Sequence, residues 1–151
     1  MLSAATPNGQ GSIGVSASEI AQMLVALQAG FANVGGVSAT LTAAQILAGN
    51  VLTTGGATPT LTTDTAANIL AALTQSAGAT PRIGQTFPLD LANLNSGTAT
   101  LAGGTGVTIA GTATVLTGTE RQFMCIVTGT PTLGSAAVTI QSMWANGGVT
   151  A

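Results

Sequence analysis

The sequence contains no histidine, no tyrosine and no lysine, and its six charged side chains are Glu19, Asp64, Arg82, Asp90, Glu120 and Arg121. Charged residues make up 4% of the 151 residues, against about a quarter in an ordinary soluble domain. Without histidine a serine nucleophile lacks its usual base, and without lysine the Ser-Lys variant is closed as well. Two arginines are too few for the basic footprint of a nucleic-acid binder. The one cysteine, Cys125, has no second thiol for an intrachain disulfide and no histidine with which to build a zinc or iron site. It lies in the apolar run Phe123-Met124-Cys125-Ile126-Val127, where a buried strand thiol is expected. No catalytic constellation, metal site or cofactor site is expected, and the chain is read as non-enzymatic.

What is abundant is small and neutral: 27 Ala, 26 Thr and 21 Gly. Thr and Gly suit strands and tight turns. A surface with so few charges repels its neighbours weakly, so self-association is expected. The window 20–37 is the most membrane-like, but Gln22, Gln28, Asn33 and Gly35-Gly36 interrupt it and no Lys or Arg flanks it. No membrane partner is expected on those grounds.

Along the chain, residues 1–16 have no regular periodicity and read as an extended arm. Gly9-Gln10-Gly11-Ser12-Ile13-Gly14 matches G-x-G-x-x-G, yet it lacks the preceding strand that a dinucleotide fingerprint needs. Ser16-Ala17-Ser18-Glu19 fits a capping box, and Ile20, Met23, Leu24, Leu27 and Phe31 follow as one apolar stripe of helical period. This stripe is expected to be a packing face, and its spacing would also suit a short symmetric bundle of subunits. Residues 1–37 are therefore taken as arm and attachment helix, and 38–151 as the β-rich domain.

Two short segments repeat, Thr42-Ala43-Ala44-Gln45-Ile46-Leu47-Ala48 and Thr65-Ala66-Ala67-Asn68-Ile69-Leu70-Ala71, and Gly-Ala-Thr-Pro occurs at 56–59 and again at 78–81. Each repeat predicts one or two helical turns capped by Thr42 and by Asp64 or Thr65, a local duplication without a solenoid. From Ile83 on, glycine-punctuated runs predict strands at 85–94, 98–102, 106–110, 112–117, 121–128 and 136–144. The expected fold is mainly β, an antiparallel sandwich or barrel with an N-terminal extended arm and a few short helices. Pro88 restricts its strand to an edge or a bulge.

Arg82 and Arg121 each precede a strand; they serve either as an ion pair or carbonyl clamp at a subunit contact or as isolated solubilising charges. Trp144 is a core or interface anchor, or a sugar-stacking platform. The density of Thr from 100 to 119 raises ice binding as a minor alternative, which the irregular spacing weakens.

The stretch from Leu41 to Trp144, with LTAAQILAG, TAANILAAL, IGQTFPLDLANL, TATLAGGTGVTIAGTATVLTGTERQF and AAVTIQSMW, resembles small virion proteins of tailed bacteriophages that decorate or cement the capsid or form trimeric fibres. The resemblance implies a β-rich homotrimer without cofactors on the capsid exterior, bound to the major capsid protein or another virion protein. A tail fibre or tail-tip component, or a glycan-binding module on the virion, is the alternative.

Overall fold

The computed structural model describes residues 31–146, with the backbone alone described for 144–146. The arm, the capping box, the glycine motif and the stripe residues Ile20, Met23, Leu24 and Leu27 lie outside the described residues. The fold is mainly β. Its strands are β1 (Ala32–Gly35), β2 (Ser38–Leu41), β3 (Asn50–Thr54), β4 (Thr60–Thr63), β5 (Thr86–Asn93), β6 (Ala99–Ala102), β7 (Val107–Ala110), β8 (Thr114–Val115), β9 (Thr119–Gly129) and β10 (Ala137–Asn146). Helix α1 (Ala43–Ala48) lies between β2 and β3, and α2 (Ala66–Ala77) between β4 and β5. The first strand already belongs to the β-rich unit, N-terminal to the boundary expected between residues 37 and 38.

The strands form a six-stranded sheet, β1-β3-β5-β9-β10-β7, and a four-stranded sheet, β2-β4-β6-β8. Pairing is parallel for β1 with β3, β3 with β5, β2 with β4 and β4 with β6. The expected antiparallel pairing holds for β5 with β9, β9 with β10 and β6 with β8, while β7 joins β10 in parallel.

The parallel half arises from a winding that the sequence did not reveal. Strand, strand, helix is traversed twice, and the third strand pair, β5 and β6, lies on the first two. Parallel neighbours need a crossover that returns the chain to the same end of the sheet, and the two Thr-Ala-Ala helices are that crossover. The local duplication therefore builds stacked coils, contrary to the expectation of no solenoid. Thr42 and Thr65 cap their helices in the same way, each hydroxyl accepting from the amide three residues on. Ala43 and Ile46 are buried in α1, as are their counterparts Ala66 and Ile69 in α2. The Gly-Ala-Thr-Pro copies are not equivalent: the first joins β3 to β4, and the second follows α2. Helix α2 runs longer than its repeat because Leu70 and Leu73 continue the buried stripe until Gly78, at φ 69°, ends it.

Register places like on like. Ala39, Leu61 and Leu101 align across the four-stranded sheet, and Ala32, Val51 and Leu91 across the larger one. Leu61, Leu89, Leu91, Phe123 and Ile140 are fully buried, each contributing about 1.5–3 kcal/mol by leaving water. Leu89 with Leu91, and Val138 with Ile140, alternate with less buried neighbours and form the buried faces of β5 and β10. Pro88 lies in an interior strand, but locally at an edge. Asp90 donates its N–H to Gly49 on the β3 side, so the even positions of β5 face that way, and β3 pairing begins only at Asp90. No ladder bond is lost where Pro88 lacks its N–H.

Candidate interaction surface

Both sheets are joined at one corner by the β1–β2, β3–β4 and β5–β6 connections, and a buried polar cluster orders it. Thr53, Asn93 and Asn95 are almost wholly inaccessible to solvent. Asn93 donates through Nδ2 to the carbonyls of Gly97 and Val115, both at 2.9 Å, and its Oδ1 accepts from the Asn95 backbone N–H at 2.9 Å and from Asn95 Nδ2 at 2.8 Å. Asn95 Nδ2 also donates to Thr53 Oγ1 at 3.0 Å, and Asn95 Oδ1 accepts from the Gly56 N–H at 2.7 Å. Every polar atom of the two amide side chains is satisfied, as burial demands. The cluster is structural: it ties the β3–β4 and β5–β6 connections to each other and to β8, while the β1–β2 corner is held by the Gly36 N–H on Thr54 O.

The rim these connections form presents apolar side chains. Val37, Leu94 and Leu116 are 66%, 62% and 56% exposed, and all follow strand ends at this corner. Leu94 is held by its N–H to Thr53 O, and Leu116 accepts from the N–H of Thr119. Sequence reading missed these residues because Leu94 and Leu116 sit at the ends of apolar runs, where alternation says nothing about the residue beyond the last pair. At the other end of β5 and β9, Arg82 and Ile83 form an exposed turn closed by Gln85 N–H to Arg82 O at 3.0 Å and by Gly84 N–H to Val127 O at 2.8 Å.

The expected site residues are dispersed. Phe31 is exposed and immediately precedes the edge strand β1. The Arg82 backbone N–H donates to Gln85 Oε1 at 3.2 Å, and its side chain meets no partner among the described residues. Arg121 is a carbonyl clamp within its own chain: half-buried in β9, it donates through Nε to Thr114 O of β8 at 2.8 Å and so bridges the two sheets. Trp144 lies in β10. Phe31, Arg82 and Arg121 are carried by different elements and are not brought together as one cluster.

Asp64 joins the two helices. Its Oδ2 accepts from the Ala43 N–H at 3.0 Å, and its Oδ1 accepts from the Thr65 N–H at 2.8 Å and from Asn68 Nδ2 at 2.7 Å. The Asn68 amide holds the carboxyl below its ordinary pKa, with partial burial opposing and the Thr65 and Ala43 amides reinforcing. One carboxylate thus serves the first turns of both helices. Close by, a Cβ on Gly104 would collide with the carbonyl oxygens of Thr63 and Asp64, so this passage of the third coil admits glycine alone. Burial raises the Cys125 thiol to about 12, which leaves it protonated and unreactive at neutral pH.

Among the described residues no group of three or more His, Cys, Asp or Glu side chains could hold a metal, and no helix is long and apolar enough to cross a membrane. These features define a mainly-β protein of two mixed sheets wound from strand–strand–helix coils. No family model, curated protein or solved structure matches the chain.

Proposed function

We propose that this is a non-enzymatic structural protein of a tailed-bacteriophage virion, a homo-oligomer that decorates or cements the capsid. The observation that carries the reading is the rim of Val37, Leu94 and Leu116, exposed apolar side chains on hydrogen-bonded corners of a surface almost without charge. Large apolar side chains held out on an ordered framework favour contact with other protein surfaces. Stability would be supplied to the particle by mass action, through binding to the assembled shell. The resemblance of Leu41–Trp144 to decoration and fibre proteins selects the virion as the setting, with the major capsid protein or another virion protein as partner. The segment N-terminal to β1, residues 1–30, is the proposed attachment element.

Antibody labelling of purified virions tests this. Label on the capsid exterior supports the reading, label on the tail moves the protein to the fibre or tail-tip alternative, and unlabelled particles overturn both.

A further inference from the structure

We infer that the N-terminal ends of both sheets, the outer edges of β1 and β2, unpaired among the described residues, pair with the same edges of a second copy of this chain about a twofold axis. The inference deepens the homo-oligomer reading above and rests on it. Strands β1 and β2 are the outermost members of their sheets, four residues each, joined by a two-residue corner. The Gly36 N–H and the carbonyls of Val37 and Leu41 point inward to β3 and β4. By strand alternation, the N–H and C=O groups of Asn33, Gly35, Ser38 and Thr40 point outward, and they have no partner among the described residues.

All four of these residues are exposed. An edge of this kind is normally blunted by charge, proline or a bulge. Here neither strand contains a charged residue or proline, and the chain carries no charge at all between Glu19 and Asp64. Phe31 and Val37, both exposed, flank β1.

The opposite ends select the occupant. In the four-stranded sheet the far edge is β8, two residues long, and its outward Thr114 carbonyl is already held by Arg121. In the larger sheet the far edge is β7, where the Val107 N–H turns back to Gly104 O. Head-to-tail stacking would set four residues of β2 against two of β8. A twofold instead reverses strand direction, so that β1 meets β1 and β2 meets β2 antiparallel, with equal lengths and no charge on either side.

The test is sedimentation equilibrium of the full chain, alongside the double substitution Ser38→Lys/Thr40→Lys and a control, Ala67→Lys, on the exposed face of α2. Like charges placed opposite one another across an antiparallel pair destabilise it. The expected result is a dimer, or a higher even-numbered assembly, whose twofold contact weakens at least about tenfold in the double variant, while the control matches the parent. A trimer indifferent to the two lysines overturns the edge pairing and leaves the homo-oligomer reading standing; a monomer overturns both. Should the double variant fail to fold, amide exchange of the parent decides. Protection at Asn33, Gly35, Ser38 and Thr40 that rises with protein concentration supports the pairing. Protection independent of concentration shows the edge covered within one chain and refutes it.

Discussion

At the C-terminal end of the winding, short strands are finished by the chain's own groups: Arg121 takes the outward carbonyl of β8, and Asn93 reaches the Val115 carbonyl where the chain turns away. At the N-terminal end, β1 and β2 present eight residues of edge with no such closure among the described residues. The contrast shows two solutions to one problem. A stacked coil buries its interior by repetition, but its last strands still carry unpaired backbone, which side chains or another chain must satisfy.

The largest effect is expected where the closed end and the coils share one cluster. Asn93→Ala removes both donors and the acceptor of a wholly buried amide, so Gly97 O, Val115 O and the Asn95 backbone N–H lose its bonds and Asn95 Nδ2 keeps only Thr53. About 3 kcal/mol or more of stability should be lost, read from urea unfolding, whereas Asn33→Ala on the open edge should change the unfolding free energy by less than about 0.5 kcal/mol. Similar losses for the two asparagines would break the contrast between ends.

Next in size is Asp64, which ties coil to coil. Its folded pKa lies below the unfolded value, so its contribution is fully present above the ordinary carboxylate range and is lost as pH falls through the lower, folded value. Asp64→Ala should cost about 1–2 kcal/mol at neutral pH, as for loss of a helix cap, and should flatten the acid limb of a stability–pH profile. An unchanged profile would mean that the carboxylate does not hold the two helices together.

Arg121→Gln should cost about 1 kcal/mol by freeing the Thr114 carbonyl, with hydrogen exchange accelerated at β8 and unchanged at β1. The smallest effect is a null one. Cys125, held at a pKa of about 12 by burial, should resist a thiol reagent at pH 8 in the folded protein and react fully in denaturant; fast labelling of folded protein would place β9 outside the core.

The strands after residue 83 were legible because period-two alternation, glycine punctuation and burial agree there. Phe123, Cys125 and Val127 are buried on one face, as their run suggested. The helix caps at Thr42 and Thr65 were legible for the same reason, since capping is local chemistry. The coil was not. Strands of four residues, such as Ala32–Gly35 and Thr60–Thr63, are too short to display a period, and parallel pairing is set by partners 19 to 40 residues away. The polar cluster was equally hidden, because nothing in Leu-Ala-Asn-Leu-Asn distinguishes an amide that caps a turn in water from one that is buried. Of the expected contact residues, Arg121 is seen as a clamp within the chain, and the exposed leucines of the rim carry no sequence signature.

The comparison between the two ends is tested most directly by residue-resolved amide exchange at several protein concentrations. The account predicts that protection at Asn33, Gly35, Ser38 and Thr40 increases with concentration, while protection around Thr114 and Val115 stays constant. Equal concentration dependence at both ends, or none at either, would contradict it.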